Sequence, residues 1–208
     1  MHYPFLNIIG LMTGTSMDGI DISLVKTNGI ILKRLNKNFY YKYSSEAKKI
    51  LDGVLKTDIN INLKQKAFLD EFITKEHYLA LKDLDILQNC DLIGFHGQTI
   101  YHNPKKNISI QFGEPTRLAT LLNKEVIFNF RSNDIESGGQ GAPLAPIYHK
   151  FIIEDLKLEL PCCILNIGGI SNLTYWDGNE LIGFDTGPGN ALMDDYMSKT
   201  FNQSFDKD

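Results

Sequence analysis

The sequence predicts an α/β protein in two parts built on one plan. One observation is that strand-like segments interleave with segments whose apolar residues recur at helical spacing. The other is an internal repeat. Ile8 to Val25 and Ile164 to Tyr175 both read as apolar strand, glycine-containing turn with a serine, and return strand. The change between the parts then falls in Gly138 to Pro146 or in the helix that follows. With 208 residues, 43% of them hydrophobic, the chain can fill one packed core or two lobes.

Phe5 to Met12 is an apolar strand ending in the turn Thr13-Gly14-Thr15-Ser16, and Ile20 to Thr27 alternates as its return strand. Asn28-Gly29 is a turn signal, and Ile30 to Leu35 can form a third strand. Ala47, Ile50, Leu51, Val54 and Leu55 recur at helical spacing, as do Phe68, Leu69, Phe72 and Ile73, with Lys, Asp and Glu on the other faces. Asp91 to Phe95 reads as a buried strand, Pro115 as a helix start with Leu118, Leu121 and Leu122 inward, and Val126 to Phe130 as a strand. Arg131 to Gly141 reads as a polar loop, and Pro143 to Leu156 as a connecting helix interrupted by Pro146. Cys162 to Ile167, Ser171 to Trp176 and Leu181 to Phe184 read as strands, with Asp177-Gly178 as a hairpin turn. Asn190 is placed to cap a final helix with Ala191, Leu192, Tyr196 and Met197 inward.

Composition excludes several classes. Lys plus Arg is 21 against 25 for Asp plus Glu, a net charge of −4 with the lysines scattered, which argues against a nucleic-acid or anionic-membrane surface. No apolar run approaches the roughly 20 residues of a membrane span. The apolar N-terminus lacks a basic leader and reads as a strand. Cys90, Cys162 and Cys163 give neither a disulfide framework nor zinc spacing. Cys162 and Cys163 should point to opposite faces of a strand as buried, reduced thiols, which suits a cytoplasmic location. No metal site is expected among the histidines.

Two motifs carry candidate chemistry. Gly14-Thr15-Ser16-Met17-Asp18-Gly19-Ile20-Asp21 can cradle phosphate oxygens on backbone N–H groups and hydroxyls, with Asp18 on a hydrated Mg²⁺. An ordinary hairpin turn uses the same residue types. A strand on each side excludes the P-loop and dinucleotide fingerprints, which need a following helix. Asp185-Thr186-Gly187-Pro188-Gly189-Asn190 puts a carboxylate at an exposed strand end before a helix N-terminus, a suitable general base or simply a cap. His96, Gln98, Arg131, Asp134 and Gln140 lie in polar clusters at strand ends, suited to hydroxyl recognition or to local satisfaction and a surface ion pair.

Six motifs in series are more specific than any one alone: GTSMDGID at 14–21, FHGQTIYHNP at 95–104, QFGEPTRLA at 111–119, GGQGAPLAP at 138–146, LNIGGISNLT at 165–174 and GFDTGPGNALMDDY at 183–196. In this order they resemble the anhydro-N-acetylmuramic acid kinases over essentially the whole chain. The resemblance implies an actin-like ATPase, ribonuclease H-like, two-lobed fold with a nearly complete first lobe and a partial second one. The first would span 1–145, with the phosphate-1 loop and a helical insertion. The second would span 146–208, with the connecting helix, the phosphate-2 turn and the Asp185 loop, and with sugar and ATP in the cleft between the lobes.

The implied reaction is ATP-dependent opening of the 1,6-anhydro ring with phosphorylation of O6, in cytoplasmic cell-wall recycling. It implies ATP and Mg²⁺ as cofactors. Residues 14–21, Asn166, Gly168 and Gly169 would bind ATP, and Asp185 would be the base. His96, Gln98, Arg131, Asp134 and Gln140 are the candidate sugar contacts. Family members continue beyond the Asn190 helix into an adenosine-binding segment. The expected partners are therefore the amino sugar and ATP, with a homodimer or a complementing C-terminal chain compatible with the resemblance. A catalytically inactive remnant is the competing expectation.

Overall fold

Alternation along Leu6–Met12 (β1) and Gly19–Thr27 (β2) produces an antiparallel hairpin in which Ile9 faces Leu24 and Leu11 faces Ile22. These four side chains and Ile20 are buried. The structure is a computed structural model that describes residues 3–14, 17–55, 61–203 and 205–206. β3 (Leu32–Lys42) pairs along all of β2, from Thr27↔Leu32 to Gly19↔Lys42. It runs past Leu35, where the sequence pattern ends, because the ladder supplies pairing that its polar side chains do not advertise.

Two helices follow, α1 (Ser45–Leu55) and α2 (Leu63–Leu81). Asn62 and Gln65 close a reciprocal capping box at the start of α2, each bond 3.0 Å. The expected apolar stripe of α2 is only partly right. Leu69 and Ile73 are buried, but Phe68 is exposed and stacks on Phe72 at 6.2 Å, while Asp70, Thr74, Glu76 and His77 are buried. Asp70 and Thr74 go inward because the Gly113 and Glu114 N–H groups meet them there.

After a 3-10 turn at Asp85–Leu87, β4 (Leu92–Phe95) joins β1 in parallel. β5 (Gln98–Asn103) and β6 (Ile108–Phe112) then form a separate hairpin. Its mixed polar faces hide it from periodicity. α3 (Pro115–Leu122) buries Leu118 and Leu122 and ends on Asn123 in the left-handed region. β7 (Glu125–Ile127) completes a five-stranded sheet, β3-β2-β1-β4-β7, with β4 and β7 parallel to β1. Two expectations are corrected beyond it. The strand ends at Ile127 instead of Phe130, and the segment read as a loop begins with a helix, α4 (Phe130–Glu136). That helix buries nothing fully, so no apolar period marks it.

Contacts divide the chain into Met1–Gly139 and Gln140–Asp208, where the sequence places the change at 145/146. The second unit opens with α5 (Pro146–Asp155), so Pro146 starts the helix instead of interrupting it. β8 (Cys162–Ile167), β9 (Ile170–Trp176) and β10 (Leu181–Pro188) form an antiparallel sheet followed by α6 (Ala191–Phe201). α5 covers one face of that sheet. His149 Nδ1 and Thr174 Oγ1 are hydrogen-bonded at 2.7 Å, and Lys150 Nζ lies 4.3 Å from the Trp176 ring centroid. On the alternate positions Leu165, Ile167, Ile182 and Phe184 are exposed.

Cys163 is exposed and Cys162 half-buried, which corrects the expectation of two buried thiols there; Cys90 is the buried one. Asn190 precedes α6 but makes no side-chain cap bond. Its backbone N–H is instead bonded to Gly168 O.

Candidate functional site

Parallel pairing brings the C-terminal ends of β1 and β4 side by side, and the polar turns that follow them meet there. Thr13 Oγ donates to Gly97 O at 2.7 Å, and His96 Nδ1–H donates to the same oxygen at 2.8 Å. Gln98 is fully buried, and its Nε2 donates to Gly14 O at 3.2 Å. Gln98 therefore braces the Gly14 turn from beneath. No sequence signal distinguishes this brace from the expected sugar contact.

His96 Nε2 accepts from Arg131 Nε–H at 2.7 Å. With Nδ1 donating to Gly97 O, both ring nitrogens are matched only in the neutral tautomer. Burial, then the Arg131 charge, pushes the His96 pKa down to about 4, against the opposing Gly97 bond. The ring is thus neutral near pH 7, and Arg131 stays the cation of the pair.

Both side chains line a shallow pocket of about 40 Å³ in the first unit, open to solvent, with Phe95, Phe128 and Phe130 as apolar wall and Gln111 as a further polar group. Gln111 Nε2 donates to Ser109 Oγ at 2.6 Å, and Thr99 Oγ1 lies 3.4 Å from His96 Nε2. Aromatic wall with a few convergent polar groups is the composition of a small-ligand site. Phe128, Phe130 and Gln111 were not singled out from sequence. The signal that could have found them is the recurrence of Phe beside His96, Gly113 and Arg131.

The phosphate-loop candidate is described in part. Thr15 and Ser16 lie outside the described residues. Met17 has φ 49° and is buried, as is Ile20, so these two present backbone and not side chain to a ligand. Asp18 is exposed, and Gly19 packs so tightly against Tyr40 and the Tyr41 carbonyl that a Cβ would collide with both. The Tyr40 hydroxyl is hydrogen-bonded to Asp18, and burial together with the Asp18 charge pushes its pKa up to about 12. Burial and then Asp18 also raise Asp21 above the usual carboxylate value. Asp18 and Asp21 are thus two interacting carboxylates at this turn, and the described residues contain no group of three or more His, Cys, Asp or Glu placed to hold a metal ion.

Asp134 lies in α4, where its carbonyl accepts the Gly139 N–H at 2.8 Å and its carboxylate fills the space a Gly139 Cβ would need. It is not among the pocket-lining residues. Gln140 is exposed at the start of the second unit.

Within that unit, Asn166 pairs with Asn172, and the Gly168-Gly169 turn is locked by Asn190 N–H to Gly168 O at 2.8 Å and Gly189 N–H to Gly169 O at 2.9 Å. Asp185 is exposed and sits within β10 opposite Asn172, at a bulge before Gly187. It lies inside the strand and not at its end, because the ladder resumes through Gly187↔Ser171 and Pro188↔Ile170. A bulge re-aims the side chains beside it and recurs next to active sites.

A two-unit α/β protein with an aromatic, Arg–His-lined pocket in its first unit has the make-up of a small-molecule-binding protein. The family model for anhydro-N-acetylmuramic acid kinase matches residues 6–208, and the chain belongs to that family. It is 40% identical over 213 residues to the anhydro-N-acetylmuramic acid kinase of Bradyrhizobium diazoefficiens, covering 97% of this chain and 58% of that protein. It is 40% identical over 224 residues to the protein of the same name from Pelagibacter ubique, covering 98% and 57%. The chain thus spans less than two thirds of the length of these relatives. A solved structure of an exopolyphosphatase-like protein aligns with a TM-score of 0.49 at 11% identity, covering 96% of this chain and 55% of that one. Among the described residues no helix is long and apolar enough to cross a membrane.

Proposed function

We propose that the protein serves an ATP-dependent kinase reaction on 1,6-anhydro-N-acetylmuramic acid, yielding N-acetylmuramic acid 6-phosphate and ADP. The observation that carries the reading is the Arg131–His96 pair at an aromatic pocket, in a chain of this family. Arg131, oriented by neutral His96, supplies hydrogen bonds to sugar oxygens while the phenylalanines take the ring's apolar faces.

Asp185 takes a proton from water, whose oxygen adds to the anomeric carbon as the bond from that carbon to O6 breaks. O6 attacks the γ-phosphorus, and the bond from phosphorus to the departing ADP oxygen breaks. A carboxylate suffices as base because the anomeric centre becomes oxocarbenium-like. The Gly14–Asp21 and Gly168-Gly169 turns offer backbone N–H groups to phosphates, and Asp18 and Asp21 would hold the hydrated Mg²⁺. Bound Mg²⁺ would neutralise phosphate charge.

The test is a mass-spectrometric assay for the 6-phosphate with the anhydro sugar and Mg-ATP. Asp185→Asn should lose turnover by several orders of magnitude while calorimetric affinities for both ligands hold. Near-normal turnover in that variant would remove Asp185 from the role. Arg131→Ala should abolish sugar binding and spare nucleotide binding.

A further inference from the structure

The polar residues buried on α2 have a purpose that the helix alone does not require. Asp70 is 7% and Thr74 1% exposed, and burying such groups is unfavourable unless they are partnered. Their partners lie on a distant turn. Asp70 Oδ1 accepts the Gly113 N–H at 2.9 Å, and Thr74 Oγ1 accepts the Glu114 N–H at 2.8 Å. The Thr74 hydroxyl hydrogen is directed to Asp70 O at 2.6 Å, which leaves the oxygen lone pairs free to face Glu114. Lys66 neutralises the second Asp70 oxygen.

The turn held this way is part of the pocket, since Gly113 and Pro115 are on its wall with His96 and Arg131. Gly113 adopts φ +126°, and a Cβ added there would collide with the Phe95 ring. One residue earlier, the Phe112 carbonyl abuts Gly97, where an added Cβ would lie 2.5 Å from that oxygen. Gly97 O in turn receives the Thr13 and His96 bonds. A continuous set of contacts therefore runs from α2 through Gly113-Glu114 to the His96 turn.

We infer that Asp70 and Thr74 are positioning residues for the sugar pocket, holding the Gly113-Glu114 turn and through it the His96–Gly97 turn at the spacing a carbohydrate requires. This rests on the sugar-kinase reading above. The Arg117 ion pairs to Glu71 and Glu114 on the exposed side of the same turn are solvated and add little to its placement.

The experiment is calorimetry of 1,6-anhydro-N-acetylmuramic acid and of Mg-ATP on the full chain carrying Thr74→Val, Thr74→Ser, Asp70→Leu or Arg131→Ala. Valine keeps the shape of threonine but leaves the Glu114 N–H without its acceptor, whereas serine keeps the acceptor. Thr74→Val and Asp70→Leu should weaken sugar binding on the order of tenfold with nucleotide affinity unchanged, and Thr74→Ser should restore most of it. Nitrogen-15 NMR gives a second readout. The His96 titration should rise from about 4 toward its ordinary value in Thr74→Val, as water reaches the loosened turn. Should Asp70→Leu fail to fold, the Thr74→Val and Thr74→Ser pair decides alone. Unchanged sugar affinity and His96 titration in Thr74→Val, with binding lost in Arg131→Ala, would overturn the inference and leave the site reading standing. Unchanged sugar affinity in Arg131→Ala would overturn both.

Discussion

His96 and His77 give the protein a readable pH dependence. Burial lowers both pKa values to about 4, with Arg131 adding to the shift at His96 and His96 to that at His77. His77 Nδ1–H donates to Ile73 O at 2.8 Å, its Nε2 is buried without a partner, and its ring meets Phe95 edge-on at 4.8 Å. A folded-state value below the unfolded one means that the unfolded chain binds more protons between them. Stability is therefore full above about pH 6.5 and falls as pH drops toward 4, by on the order of 3 kcal/mol per histidine. Burial raises Glu76 and Asp21, which work in the opposite sense within the carboxylate range. The histidine signature is thus clearest from pH 6.5 to about 5. Urea midpoints measured across that window should decline, and His77→Phe should flatten the decline. At the same scale, Gly19→Ala should cost about 1–3 kcal/mol, because its Cβ meets backbone at Tyr41 as well as the Tyr40 ring. Thermal melts check this, with Gly29→Ala, where no atom lies within 4 Å, as a comparison for backbone strain alone at φ +84°.

α2 shows how far an element can be read from its own residues. Its N-terminus is written locally, since Asn62 and Gln65 stand at capping-box spacing and bond as that spacing demands. Asn62→Ala should cost about 1 kcal/mol, read as a shift in the urea midpoint without a change in slope. Its buried face is not written locally, because Asp70, Thr74, Glu76 and His77 break the apolar stripe. Asp70 and Thr74 are satisfied by residues tens of positions away, Gly113 and Glu114. α4 is the converse case. It has no buried side chain, so no periodicity reports it, yet it carries Arg131 to the pocket.

Across the whole molecule, the principal apolar core lies entirely in the first unit, from Ile9 to Leu122. The pocket lies there too. A fragment of residues 1–139 should accordingly unfold cooperatively and retain sugar binding. In the second unit Leu165, Ile167, Ile182, Phe184, Leu192 and Met193 are exposed. A fragment of residues 140–208 should bind a hydrophobic dye and lack a cooperative transition. A sharp transition in the second fragment, or none in the first, would contradict this division of stability.

The sequence by itself determined the α/β class, the two similar hairpins, most strands and the family, because these rest on local alternation and on motifs contiguous along the chain. It also brought forward His96 and Arg131 as candidates. Only the tertiary structure decided that these two are bonded, that Gln98 lies beneath the Gly14 turn, and that Asp185 stands at a bulge inside β10. The physical reason is the same in each case. A polar side chain beside a glycine turn can be a ligand contact, a cap or a brace with equal local plausibility. Which one it becomes depends on the acceptor that strand pairing and helix packing bring from elsewhere, and that partner has no fixed offset in sequence.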